Sequence, residues 1–300
     1  MKTTAAVVVT FERKKLLREN IRSLLAQTAA DVLDIIVIDN ASSDGTREYI
    51  SDLIESRKII YRNTGENLGG AGGFNFGIKL AEKLGYDNIW VMDDDCIPKK
   101  DALEEFLKWD RKLSGNYGFL SGRVFWKDGS ICKMNVQKTS LTSYVKRSRE
   151  PLERVIMASF VSLFLKADVV RDVGLPISDF FIWTDDWEYT RRISEKYDCY
   201  LVRTSKALHK SKNNKGADIS LESPERLERY RYLYRNDVYL YRREGLKGFL
   251  YQSMRLPCHA ARVLLKAPDK KAYRLRIIAE GTISGFGFHP ETEFPKGECR

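Results

Sequence analysis

The chain has no long apolar run. Its best stretches, residues 5–9 and 35–38, fall well short of the ~18 residues that a membrane-spanning helix requires. Residues Met1-Lys2-Thr3-Thr4 enter a strand-like run at once, with no signal-peptide pattern. Cysteine is sparse: Cys96, Cys132, Cys199, Cys258 and Cys299 are odd in number, scattered and without a C-x-x-C pair. That usage gives no sign of a zinc or disulfide framework and suits a reducing compartment, so a cytoplasmic protein is expected. There is no internal repeat and no low-complexity tract. A uniformly basic character is also missing. The net charge is +10, yet residues 1–200 carry 30 basic and 30 acidic side chains, against 21 and 11 in residues 201–300. A nucleic-acid binder should carry its basic footprint into the folded core, so no nucleic-acid partner is expected.

With 43% hydrophobic and 11% aromatic residues in 300, the chain holds enough apolar matter for a substantial core. Short apolar runs alternate with helical stripes: strands at 5–9, 35–38, 59–62 and 89–92, helices at 14–27, 46–56 and 74–84. This β-α-β-α order predicts a mainly parallel sheet covered by helices, an α/β fold. Further strands are expected at 119–125 and 155–165, and a helix at 185–196. Past residue 220 the pattern turns to charged helices at 224–243, 245–265 and 269–283. The polar stretch 205–223 lacks periodicity and marks the boundary, giving a catalytic region 1–212 and a basic helical region 213–300.

In sheets of this kind ligands sit at the carboxyl ends of the strands, so the residues there are the candidates for a site. The first strand leads into Thr10-Phe11-Glu12-Arg13, where Thr10 also suits an N-cap. The second leads into Asp39-Asn40-Ala41-Ser42, which places a carboxylate where such folds hold a base or ribose; the same segment is a polar turn before a helix. The third leads into Asn67-Leu68-Gly69-Gly70-Ala71-Gly72-Gly73-Phe74. Missing Cβ atoms at Gly69, Gly70, Gly72 and Gly73 allow close backbone approach to a ligand, or a tight turn. No Gly-Lys-Ser/Thr follows, and the run stands after strand three instead of strand one, so neither a P-loop nor a dinucleotide fingerprint is present.

The fourth strand ends in Asp93-Asp94-Asp95. Adjacent buried carboxylates repel one another, and a hard divalent cation with oxygen ligands would relieve that repulsion. Strand alternation puts Asp93 and Asp95 on one side and Asp94 on the other. Further on, Trp183-Thr184-Asp185-Asp186-Trp187-Glu188 sets paired acids between aromatic rings, a pattern suited to a sugar site with one carboxylate as general base. Asp185-x-x-Glu188 also has capping-box spacing for the helix that follows. His209 comes 23 residues after Asp186, and taken alone it carries little weight.

In order, Val9-Thr10-Phe11-x-Arg13, Ile38-Asp39-Asn40-Ala41-Ser42-x-Asp44-Gly45-Thr46, Asp93-x-Asp95, Trp183-x-Asp185-Asp186-x-Glu188-Tyr189 and His209 resemble the inverting family 2 glycosyltransferases of GT-A fold. The run from Asn67 to Phe74, with Phe181-Ile182-Trp183, is most similar to bacterial galactofuranosyltransferases. The resemblance implies a UDP-galactofuranose donor held by Thr10, Phe11, Arg13, Asp39, Asn67, the four glycines, Asp93 and Asp94. It implies Mn²⁺ or Mg²⁺ on Asp93, Asp95 and His209, Asp186 as catalytic base, and an acceptor pocket lined by Trp183, Asp185, Trp187 and Glu188. The implied acceptor is a polyprenyl-diphosphate-linked glycan of bacterial surface polysaccharide synthesis, such as O-antigen or capsule. Related rhamnosyltransferases share the pattern, which keeps dTDP-rhamnose as an alternative donor. A sugar-1-phosphate nucleotidyltransferase ranks lower, because no glycine follows the first strand.

The C-terminal region has no comparable motif. Residues 245–265 mix Leu246, Phe249, Leu250, Met254 and Leu264 with Lys247, Arg255 and Arg262, beside Lys266. A basic amphipathic helix of this kind suits the surface of an anionic membrane, so peripheral docking on the inner face of the cytoplasmic membrane is expected. The same face could join copies of the chain in a homo-oligomer.

Overall fold

The computed structural model describes residues 3–146 and 148–295, so Cys299 lies outside the described residues. The chain opens with β1 (Thr4–Thr10), α1 (Lys14–Leu25), β2 (Leu33–Asp39), the short α2 (Thr46–Tyr49) and α3 (Ser51–Glu55), β3 (Ile60–Asn63), α4 (Gly69–Lys83) and β4 (Asn88–Asp93). β1 lies between β2 and β4, parallel to both, and β3 extends the sheet beyond β2. Every residue of β1 is buried, as a strand covered on both faces should be. Its pleat divides the core. Ala5, Val7 and Val9 pack with Phe74, Ile78 and Ala81 of α4, while Ala6 and Val8 meet Leu17, Ile21 and Leu24 of α1. Burying side chains of this size contributes about 1.5–3 kcal/mol each before ordering costs.

The second half contains β5 (Cys96–Pro98), α5 (Ala102–Lys112), β6 (Phe119–Trp126), β7 (Leu152–Arg154), β8 (Leu163–Lys166), α6 (Ala167–Val173), α7 (Asp185–Ser194) and β9 (Tyr200–His209). The sheet runs β3-β2-β1-β4-β8-β6-β9-β5, with β7 on β9. It is parallel as far as β4 and mixed beyond, because β8 pairs antiparallel with both β4 and β6. The strand expected over 155–165 is confined to its end. Ser162 takes a left-handed φ of 62° that breaks the extended run. The residues before it still bury Val155, Met157, Ala158 and Phe160 without regular pairing.

Past the polar stretch come α8 (Tyr230–Arg243), α9 (Gly245–Lys266) and α10 (Lys271–Phe286), α8 being entered through a 3-10 turn at Pro224–Arg229. They pack on one another through Leu233, Tyr234, Val263, Ile277 and Ile278, and Trp183 of the sheet region packs against this cluster. One expectation for α9 changes. Arg255 does not belong to the outer basic face, because it turns inward and pairs with the buried Asp237.

Candidate active site

β1 and β4 end side by side, with Val9 opposite Asp93, so the acidic triplet rises beside Thr10. Thr10 Oγ1 donates to Asp94 Oδ2 at 2.7 Å. Arg13 Nη1 reaches Asp94 Oδ1 at 3.2 Å and Asp95 Oδ2 at 3.0 Å. Only Asp93 belongs to the strand; Asp94 and Asp95 form a turn into β5. β5 pairs antiparallel with β9 in the register Cys96 opposite His209. This register carries the histidine across the fold, and its Nε2 lies 3.0 Å from Asp95 Oδ1.

Asp93, Asp95 and His209 each offer an atom within 4.8 Å of the others. Two carboxylate oxygens and an imidazole nitrogen form a donor set suited to a divalent cation. His209 Nδ1 lies 2.8 Å from Asn135 Oδ1, and the Asn135 amide donates to Ser159 Oγ at 2.8 Å. This outer contact orients the ring so that Nε2 faces the carboxylates.

Charge in the cluster is strongly redistributed. Burial and the neighbouring Asp95 push Asp93 up to about 6. Burial also pushes Asp94 up to about 7, against the pull of Arg13. Asp95 is also buried, yet the hydrogen bond and charge of His209, with Arg13, hold it below the usual carboxylate range. Burial opposes the charged form of His209, but its hydrogen bonds to Asp95 and Cys132 and the adjacent carboxylates raise it to about 10.

The other strand ends are more structural than the sequence suggested. Asp39 is buried, its Oδ2 accepting from Tyr61 Oη at 2.7 Å and its Oδ1 from Ser42 N at 2.8 Å. Phe11 remains exposed beside it. The glycine run is not an open loop: Gly69–Gly73 form the first turns of α4, and Asn67 Oδ1 caps them by accepting from Gly69 N at 2.9 Å. A Cβ on Gly69 would stand 2.1 Å from the Phe181 carbonyl oxygen, and one on Gly73 would stand 2.6 Å from Val9 Cγ1. These two glycines, together with Gly72 against Leu68, serve close packing; Gly70 alone of the four faces open space.

The acidic pair stands at the first turn of α7, after a backbone bent at three non-glycine positions. Phe181, Trp183 and Thr184 have φ of 61°, 66° and 66°, a strained arrangement of order 1–3 kcal/mol per residue. Asp185 is buried, whereas Asp186 is half-buried, with its Oδ1 accepting from Trp187 N at 2.7 Å. Burial pushes Asp185 up to about 7, with a contribution from Asp93. Burial and the charge of Asp185 raise Asp186 well above the usual carboxylate range, and Asp93 contributes here too.

Trp183 and Trp187 are half-buried beside this pair. Trp183 packs on Tyr230, with ring centroids 4.7 Å apart, and the Lys138 ammonium lies 3.8 Å from the Trp187 ring centroid. Lys138 is buried, and burial together with Arg255 pulls its amine down to about 8. Glu188 corrects the expectation for both a cap and a pocket lining. Thr184 holds the N-cap position with no side-chain cap bond. Helical periodicity sets the Glu188 carboxylate against Arg192, at 3.0 and 2.9 Å, and Arg243 adds a bond at 2.9 Å. The group is 1% exposed and fully engaged by arginine.

Asn135, Lys138, Asn236 and Asp237 take part in or border the site and were missed from sequence. Each lies on a loop or helix with no motif of its own, so no local signal could have marked it.

Residues 5–164 match the family model for glycosyl transferase family 2, more than half of the chain. The chain is 26% identical over 269 residues to galactofuranosyltransferase GlfT1 of Mycolicibacterium smegmatis, covering 82% of this chain and 85% of that protein. Among solved structures, Staphylococcus aureus TarS 1–349 in complex with UDP aligns with TM-score 0.56 at 16% identity, over 96% of this chain and 72% of that one. GalNAc-T7 with UDP, GalNAc and Mn²⁺ aligns with TM-score 0.60 at 13% identity, over 79% of this chain and 47% of that one. The strand-end acids, the mixed continuation of a parallel sheet and these likenesses converge: the chain is a glycosyltransferase of GT-A fold and belongs to glycosyl transferase family 2.

Proposed function

We propose that the protein transfers galactofuranose from UDP-galactofuranose, with inversion and with a divalent cation, to a lipid-linked glycan acceptor. The observation that carries this reading is the meeting of Asp93, Asp95 and His209, from two distant parts of the sequence, in one cluster. The donor assignment is supported by likeness to a galactofuranosyltransferase over most of both chains, and the nucleotide by the UDP bound in a structural neighbour.

Asp93, Asp95 and His209 would hold Mn²⁺ or Mg²⁺, which supplies positive charge where a nucleoside diphosphate departs. Arg13, anchored on Asp94 and Asp95, stands at the same edge, with its side chain half exposed and able to meet a phosphate. Phe11 and Asp39 border the adjacent strand ends, where the uridine would rest. Asp186 accepts the proton of the acceptor hydroxyl as that oxygen bonds to the anomeric carbon. The carbon–oxygen bond to the diphosphate breaks, and its electron pair leaves with the nucleotide. Trp183 and Trp187 wall the acceptor side, and the raised proton affinity of Asp186 suits it to receive a proton.

Peripheral docking is supported by the outer face of α9. Leu246, Phe249, Leu250, Met254, Leu264 and Leu265 are exposed there beside the exposed Lys247, Arg262 and Lys266. No helix among the described residues is long and apolar enough to cross a membrane. The acceptor would then hang from the anionic inner leaflet within reach of the site.

The test is a donor panel with Mn²⁺ and lipid-linked acceptor, scored by nucleoside diphosphate release. Turnover with UDP-galactofuranose is expected; turnover with dTDP-rhamnose alone would sink the donor assignment. Flotation with anionic liposomes at low salt should carry the protein upward. Failure to float, or self-association blocked by α9 substitutions, would turn that face into a contact between copies.

A further inference from the structure

The segment that delivers Asp186 is not held by its own chain neighbourhood. Between Phe180 and Thr184 the backbone bends three times into left-handed φ, at Phe181, Trp183 and Thr184. Such a path persists only where surrounding groups impose it. Asn236 of α8, completely buried, directs its Nδ2 at three carbonyls of this segment: Phe180 O at 3.0 Å, Ile182 O at 3.2 Å and Trp183 O at 2.9 Å. The next residue, Asp237, accepts from Thr184 Oγ1 at 2.9 Å through Oδ1, while its Oδ2 pairs with Arg255 of α9. On the opposite side Ala71 N donates to Phe181 O at 3.1 Å, in the space that Gly69 leaves open. Two adjacent residues of the C-terminal helices therefore grip each turn of the backbone that leads into Asp185 and Asp186.

We propose that Asn236 and Asp237 are positioning residues of the transfer reaction, setting where the Asp186 carboxylate stands. The C-terminal helices then act on the chemical step as well as on where the enzyme sits. This rests on Asp186 being the base. The geometric requirement is strict, since a displacement of about 1 Å can cost about 100-fold in rate. The nucleotide side of the site is built on β1, β2, β4 and β9, so loss of the grip should leave it intact.

The experiment uses the full chain, with UDP and Mn²⁺ as the binding probe and the donor that turns over from the panel above. Asn236→Ala should lower kcat about 100-fold, with UDP affinity unchanged within about twofold. Thr184→Val removes only the hydroxyl that meets Asp237 and leaves α8 untouched. It should lower kcat about tenfold with UDP affinity unchanged, which keeps the proposal testable if Asn236→Ala folds poorly. Asp237→Asn retains an acceptor for Thr184 but loses the charge that pairs with Arg255, and its kcat should fall less than that of Asn236→Ala. Equal losses in kcat and UDP affinity, or normal kcat in both Asn236→Ala and Thr184→Val, would overturn the grip. Full activity of Asp186→Asn would instead overturn the base on which it rests. A native chain that turns over no sugar nucleotide overturns both.

Discussion

The two acidic groups of the site have similar composition and differ in one carboxylate, Asp95, which alone is held below the usual range. Asp94 and Asp95 come with their own cation, Arg13, and Asp95 faces His209, so the second of them stays ionised despite burial. For Asp185 and Asp186 burial leads and raises both, with Asp93 adding to each and Asp185 adding to Asp186. In the first cluster His209 and Arg13 keep Asp95 charged, while burial raises Asp93 and Asp94. In the second, both carboxylates are raised. Counter-charge at this edge thus decides which carboxylate stays ionised.

Asp186→Asn breaks the comparison most severely. Transfer should fall by about 10²–10⁴-fold, the span of general base catalysis, while UDP still binds in the presence of Mn²⁺. Calorimetry beside a turnover assay separates the two effects, and joint loss would mean that the acidic groups do not divide the work. On the other side of the comparison, Asp95→Asn should weaken Mn²⁺ binding by at least about tenfold, and Asn135→Ala should approach that figure by releasing His209. Mn²⁺ titration followed by electron paramagnetic resonance would read both, and unchanged affinity would remove the metal assignment.

Asp185→Asn sharpens the same contrast through pH. A base works only after losing its proton, so kcat/KM should rise with pH through the elevated pKa of Asp186, above the ~4 of an ordinary carboxylate. Removing the charge of Asp185 lowers that pKa and should move the acid limb to lower pH. A limb that stays in place would show that another group controls it. The smallest effect separates the packing glycines from the one that faces open space. Gly73→Ala should destabilise the fold by about 1–3 kcal/mol through overpacking against Val9, whereas Gly70→Ala should leave Tm nearly unchanged, as thermal melts would record.

Much of the nucleotide-facing half was legible because its signals are local. β1 reads as a buried strand from consecutive Ala and Val residues, and Thr10, Asp39 and Asp93 fall at strand ends simply by counting along each run. Asp93 and Asp95 were expected together and Asp94 apart, and the structure arranges them so, although a turn does it instead of continued strand. The glycine run misled for a physical reason: a missing Cβ permits close approach by anything, and here the neighbours are Phe181 and Val9. Glu188 misled similarly, since the spacing that makes a capping box also sets residue 188 against residue 192 one turn on.

The sequence by itself determined the order of strands and helices, the kinds of residue at the strand ends and the uneven charge of the first two thirds and the last third. These follow from periodicity and composition, which act over a few residues. Only the tertiary structure decided that His209 meets Asp95, through the pairing of β5 with β9, and that Arg243 joins Arg192 on Glu188. It alone decided that the C-terminal helices, which the charge count made an appendage, reach in with Asn236 and Asp237 to hold the strained approach to Asp186. Hydrogen bonds and ion pairs between residues more than 50 positions apart leave no periodic trace, because their partners are chosen by how the sheet and helices pack.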